Sequence, residues 1–144
     1  MIVSDLLRRK GSAVTSAPPD TSVADLLDLL AEHGIGAVVV SDDGVTVAGI
    51  VSERDVVRAM RTTGAALLDA RVAEVMTADV VVAAPDEPVE ALMLLMTERR
   101  IRHVPVVDGG RLVGIISIGD VVKSRIGQLE ADRSHLSDYI HSPG

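Results

Sequence analysis

Apolar residues recur along this chain with two periods. Val23, Leu26, Leu27 and Leu30 follow helical spacing, and so do Val89, Leu92, Met93 and Met96. Continuous Val/Ile stretches read as strands paired in hairpins: 35–41 turning through Asp43-Gly44 into 47–52, and 101–107 turning through Gly109-Gly110 into 112–117. Short apolar segments at 13–15 and 80–83 each lead into a Pro-Asp turn before the helix. Ser22 with Asp25 offers a capping box, and Pro88 suits the first turn of its helix. Gly34 ends the first helix without steric cost; Arg100 holds that place in the second, where a left-handed cap costs more. Further helices are predicted after Ser52 and Ser117. The order is strand, helix, strand, strand, helix, then the same again: an α+β fold with helices covering its sheets.

The pattern repeats because the residues repeat. Residues 19–58 and 85–123 run in register at an offset of about 66, with one residue dropped partway. PDTSV at 19–23 answers PDEPV at 85–89, and GIVSERDVV at 49–57 answers GIISIGDVV at 114–122. Two copies of one supersecondary unit are expected to bury their apolar faces against each other. The chain divides into a first copy at 1–60, a connector at 61–71, a second copy at 72–123 and a helical tail at 124–144. In the tail, Ile126, Leu129, Arg133, Leu136 and Ile140 make a short seam interrupted by arginine. The expectation is a helix packing on its own module, the alternative a dimer or partner helix.

Composition removes several function classes. With 144 residues the chain can bury a real core, and 47% hydrophobic but 1% aromatic content makes that core aliphatic. A net charge of −7 argues against nucleic acid, whose backbone needs a basic surface. No cysteine is present, which excludes disulfides, thiol catalysis and Cys-ligated zinc. No apolar run approaches the roughly 18 residues of a membrane span, and MIVSDLLRRKG lacks the apolar core of a signal peptide. A soluble cytoplasmic protein is expected.

What both copies share is a Ser and an Asp three apart at the end of an apolar strand. The twin copies, with GIVSERD and GIISIGD closing each hairpin and IRHVPVV opening the second, resemble tandem cystathionine-beta-synthase (CBS) domains, the Bateman module, over nearly all of 3–123. The resemblance implies a pseudo-twofold axis between the copies and two clefts that take AMP, ADP, ATP, NAD-type compounds or S-adenosylmethionine. It also implies association as a disc-like homodimer. With no catalytic domain attached, the chain looks like the stand-alone kind.

Nucleotide chemistry can be laid on these residues. One carboxylate can accept from both hydroxyls of a ribose, the role the resemblance gives Asp55 and Asp120. Ser52 and Ser117 stand at helix starts, where backbone N–H groups favour phosphate, with Arg54, Arg102 and His103 as cations nearby. The favoured cleft groups Val14, Ile35, Ala37, Arg102, His103, Ser117 and Asp120. The second groups Val81, Ile101, Val104, Ser52, Arg54 and Asp55. Gly36 and Ala37 stand where the second copy has Arg102 and His103, and Val38-Val39 replaces Val104-Pro105. The first copy therefore carries less positive charge of its own, which ranks the Asp120 cleft ahead.

A simpler reading stands beside each of these. Ser-x-x-Asp at a helix start is also a cap, contributing about 1 kcal/mol with no ligand. His33, His135 and His141 lack metal-ligand spacing. Gly34-Ile35-Gly36 starts a dinucleotide fingerprint that Val39 breaks, Gly114–Gly119 misses the nucleophile elbow by one residue, and Lys123-Ser124 has no preceding P-loop glycine. No catalytic residue, metal or required cofactor is expected. The reading is a nucleotide-binding sensor without catalysis of its own. A scaffold with empty clefts that recruits an unknown protein target is the alternative, and an enzyme acting on the nucleotide a third possibility.

Overall fold

A computed structural model describes residues 1–141. The elements in chain order are α1 (Val3–Lys10), β1 (Ser16–Ala17), α2 (Val23–His33), β2 (Ala37–Val40), β3 (Gly49–Ser52), α3 (Glu53–Thr63), a 3-10 segment (Gly64–Asp69), α4 (Val72–Val75), α5 (Val89–Arg99), β4 (His103–Asp108), β5 (Arg111–Ser117) and α6 (Ile118–His141). Strands β1, β2 and β3 form one sheet in that order, β1 parallel to β2 and β2 antiparallel to β3. Strands β4 and β5 form an antiparallel pair, and Ala83 adds a parallel bridge to Val106. The α+β repeat expected from the sequence is what the chain adopts. Its leading strands are shorter and displaced: pairing begins at Ser16 rather than within 13–15, and only Ala83 of 80–83 bridges. Beside its turn the first hairpin is also trimmed, because residues there hydrogen-bond to turn side chains instead, whereas the second pairs one residue further on each side, to Asp108 and from Arg111. Asp43 Oδ1 accepts from the N–H groups of Thr46 and Val45 and from the Ser41 hydroxyl, which holds its carboxyl far below the usual range.

The helix ends obey local rules. Ser22 Oγ accepts from Asp25 N at 3.1 Å at the start of α2. Pro88 stands just before α5 as its N-cap rather than inside the first turn. Gly34 (φ 61°) and Arg100 (φ 54°) both close their helices in the left-handed region, and Arg100 is the only non-glycine residue with positive φ among the described residues. Without a Cβ such a turn is free; with one it costs on the order of 1 kcal/mol.

The two cores are exchanged at their edges. Leu26, Leu30, Val38, Val40, Val51 and Val56 of the first copy pack with Val72 of α4. Leu92, Met96, Val104, Val106, Ile116 and Val121 of the second pack with Val3, Leu6 and Leu7 of α1. Each half is thus completed by the helix that precedes the other in the chain. The two helices correspond: Val3 to Leu7 reads VSDLL and Val72 to Met76 reads VAEVM, and the Asp5 and Glu74 carboxylates accept from the N–H of Ile2 and Arg71. Both seat a side chain over a glycine. A Cβ at Gly114 would lie 2.5 Å from Leu7 Cδ2, and one at Gly49 2.5 Å from Met76 Sδ.

The tail departs from expectation. Helix α6 runs unbroken from Ile118 to His141, and Ile126, Leu129, Leu136 and Ile140 are at least half exposed. The last apolar side chain it buries is Val121, so the seam does not pack on its own module. Once a helix of this length projects beyond the sheet, no layer remains beneath it to cover that face. Residues 142–144 of the expected tail lie outside the described residues.

Candidate functional site

The geometry shared by the two copies is built from four equivalent atoms in each. At the junction of β3 and α3, Ser52 N donates to Asp55 Oδ2 (2.8 Å) and Asp55 N to Ser52 Oγ (3.4 Å). At the junction of β5 and α6, Ser117 N donates to Asp120 Oδ2 (2.8 Å) and Asp120 N to Ser117 Oγ (3.2 Å). These reciprocal caps fix each Asp at a helix N-terminus, where the helix dipole favours negative charge. The residue just before each hairpin closes the arrangement: Glu53 N donates to Gly36 O (2.9 Å) and Ile118 N to Arg102 O (2.8 Å). A cap and a ligand-ready helix end are therefore one structure in both places.

Their surroundings differ. Asp55 opens on a cavity of about 440 Å³, within the range of nucleotide-sized sites. Of the residues grouped with Asp55 from the sequence, Ser52, Arg54, Val81 and Ile101 line it, whereas Val104 is fully buried in the second core. Arg102, His103 and Ala37, grouped with Asp120 from the sequence, line this same cavity. Sequence reasoning missed Arg58, Thr77, Asp79, Arg99 and Arg100 in the wall. Arg100 had left one signal, a charged residue where the other copy has a capping glycine.

Five arginines thus surround the cavity, with Glu53, Asp55 and Asp79 as the acidic residues. None of the five forms an ion pair among the described residues, and Arg54 Nη1 donates to Arg100 O at 3.0 Å, joining the two copies across the mouth. Asp55 Oδ2 also accepts from Ser52 Oγ (3.0 Å), and its Oδ1 takes no protein hydrogen bond among the described residues. His103 lies between the clefts: burial pushes its imidazole below its ordinary pKa, opposed by the charges of Glu53 and Asp120 and reinforced by Lys10 and Arg102. It is a neutral donor and acceptor at neutral pH, rather than the cation expected. Gly36 makes its room, since a Cβ there would meet Glu53 Oε1 at 2.7 Å and His103 Cε1 at 3.3 Å.

Asp120 is covered instead. Lys10, at the end of α1, reaches it with Nζ 2.6 Å from Asp120 Oδ2 and 2.6 Å from Ile115 O. Burial alone would raise the Asp120 pKa. Hydrogen bonds from Lys10 and from Ser117 outweigh it and hold the carboxyl below its usual range. Val14, ahead of β1, and Ile35, between α2 and β2, are half-buried and line no part of the Asp55 cavity, and neither does Asp120. No cluster of His, Asp or Glu suited to a metal occurs among the described residues, and no described helix is long and apolar enough to cross a membrane.

Comparison with known proteins places this geometry. The family model described as the CBS domain matches residues 3–62 and again 72–127. CBS domain-containing protein CBSX3, mitochondrial, from Arabidopsis thaliana is 32% identical over 96% of this chain and 71% of its own length. CBS domain-containing protein YhcV of Bacillus subtilis is 32% identical over 89% of each. Among solved structures, the CBS-domain containing protein ATU1752 from Agrobacterium tumefaciens superposes with a TM-score of 0.84 at 49% identity, covering 87% of this chain and 99% of that one. The CBS domain pair of protein MJ0100, solved in complex with 5-methylthioadenosine and S-adenosyl-L-methionine, gives 0.78 at 27% identity, covering 89% and 98%.

Proposed function

The chain belongs to the CBS-domain family as a tandem pair, and we propose that it is a regulatory module that binds an adenine nucleotide in the Asp55 cavity and catalyses nothing itself. One observation carries this reading: the cavity combines a capped helix N-terminus, a carboxylate with a free oxygen, and five arginines without ion-pair partners, in a chain of net charge −7. The carboxylate suits ribose hydroxyls, and the arginines and helix end suit phosphate. The half-buried Val81 and Ile101 supply an apolar wall for a base. The adenosyl ligands bound by the MJ0100 pair support the same ligand class. Because the wall is rich in arginine, AMP, ADP or ATP should bind more tightly than S-adenosylmethionine, which carries a sulfonium. Occupancy would then be signalled through a difference in affinity between two shapes or two stabilities of the module.

A thermal-shift panel with calorimetric titration tests it. Ligand at a hundred times its dissociation constant adds about 2.7 kcal/mol of stability. Flat curves for AMP, ADP, ATP, NAD and S-adenosylmethionine at millimolar concentration overturn the proposal, and conversion of the nucleotide on incubation overturns its non-catalytic part. We further propose a homodimer formed through the modules. The exposed Val57 of α3 and Val122 of α6 occupy equivalent places and would be covered by it. The exposed Leu129, Leu136 and Tyr139 favour a second reading, in which the tail recruits a protein partner.

A further inference from the structure

The sequence repeats, yet the segments that follow α1 and α4 do not. Counted from the first valine of each helix, Lys10 falls where the other copy has Asp79. Helix α4 stops at Val75; Thr77 then pairs with Ile50 through both backbone groups, N to O at 2.8 Å and O to N at 3.0 Å, and the chain leaves the Asp55 cavity open with Asp79 in its wall. Helix α1 continues for another turn through Arg8, Arg9 and Lys10 before Gly11 ends it. In the place of the Thr77 bridge, Lys10 Nζ donates to the carbonyl of Ile115 and to Asp120. Leu7, one turn back, sits over Gly114 and sets the helix at that depth. The side chains of Lys10 and Asp120 are only 26% and 23% exposed, so the ion pair is shielded on both sides.

From this juxtaposition we propose that Lys10 is a built-in occupant of the second cleft. Its ammonium takes the carboxylate that a ribose would need, so the pair binds one nucleotide per chain rather than two. This inference rests on the reading of Asp55 and Asp120 as ribose-binding groups. The second cleft is a nucleoside site that opens only when the last turn of α1 withdraws. A site open for only a fraction of the time binds more weakly by that fraction, about tenfold for one open a tenth of the time, so the latch weakens the second cleft in proportion to how rarely it opens.

The experiment uses the full chain, AMP as the probe, and four proteins: wild type, Lys10→Met, Lys10→Met/Asp120→Ala and Lys10→Met/Asp55→Ala. Methionine keeps the length of the lysine stem and its helix propensity while removing the ammonium. Calorimetry should give one AMP per chain for wild type and two for Lys10→Met, the second gained with at least tenfold higher affinity than any weak second event in wild type. Adding Asp120→Ala should remove the gained site, and adding Asp55→Ala the original one. Two equal sites in wild type, or an unchanged single site in Lys10→Met, overturn the latch. Weaker binding at the Asp120 site of Lys10→Met also overturns it, since Lys10 would then be a ligand-holding residue. If wild type binds no AMP, the Asp55 site is not an AMP site, which is a separate result decided by the wider ligand panel; the latch then stands if AMP binding appears in Lys10→Met and falls if it does not. Amide exchange gives a ligand-free readout. Lys10→Met and Asp120→Asn should each speed exchange of the Gly11 N–H, which caps the last turn of α1, with no further gain in the double variant. Additive effects overturn the pairing.

Discussion

The Asp55 and Asp120 clefts begin from the same cap, with the same 2.8 Å bond from serine N–H to carboxylate, and end in opposite states. One faces a cavity rimmed by arginine; the other is closed by a lysine 2.6 Å away. The difference does not originate in the caps or the strands. It comes from what each leading helix does in its last turn, and from residues that the partner copy contributes. Arg99, Arg100 and Arg102 belong to the second copy but charge the cavity of the first. Likewise α1 precedes the first copy but covers the Asp of the second. A motif repeated within one chain therefore guarantees repeated local geometry only. Its chemistry depends on the segments each copy borrows.

The deepest equivalence between the halves should survive the hardest test. Leu26 and Leu92 hold matching places on α2 and α5 and both have no exposed surface. Truncating either to alanine should cost about 2–5 kcal/mol, with the two losses in the same range. Chemical denaturation measures both. A loss under about 1 kcal/mol at one position would show that the two cores are not built alike, and would break the comparison at its base.

That equivalence was legible in the sequence, and the clefts only in part. Helical spacing in a repeated aliphatic pattern fixes which side chains go inside, so Leu26 and Leu92 needed no structure to find. The Ser-x-x-Asp caps were legible because their hydrogen bonds span three residues. Lys10 and Asp120 are far apart in the chain, and nothing in a one-dimensional pattern marks an ammonium that arrives from another helix. The same blindness put Arg102 and His103 with Asp120 alone, their nearer neighbour in sequence, although both also line the Asp55 cavity. His103 was also read as a cation, because burial, which keeps it neutral, is a property of the packed state.

Smaller effects should separate the halves at their two seated glycines. Gly114→Ala drives a methyl first into Leu7, while Gly49→Ala meets the Thr77 carbonyl at 3.0 Å as well as Met76. Each should cost about 1–3 kcal/mol, typical of overpacking, in a denaturation midpoint. The consequences should differ. Gly114→Ala lifts the last turn of α1 and should raise AMP occupancy at Asp120, as Lys10→Met does. Gly49→Ala disturbs the wall of the Asp55 cavity and should weaken the existing site. Loss of affinity from both variants would mean that α1 supports binding instead of restraining it.

The mildest probe is pH. His103 has a lowered pKa in the fold because burial disfavours its charge, so the unfolded chain binds more protons as pH drops through about 6.5. Its contribution is present above that value and is lost progressively below it. Asp120 is also lowered, net of burial, by Lys10 and Ser117, and its contribution is present above about pH 3.9 and lost on further acidification. The melting temperature should therefore fall in two stages as pH decreases. His103→Gln should flatten the first, since no proton is then taken up there. Lys10→Met should shrink the second without removing it, because Asp5 and Asp43 are also held low, chiefly by backbone hydrogen bonds, and their contributions too begin to be lost as pH falls through the ordinary carboxylate value. Melting curves from pH 8 to pH 3 on the three proteins give the answer. If Lys10→Met leaves the acid limb identical to wild type, the ion pair contributes no net stability, and Lys10 closes the cleft by occupying space alone.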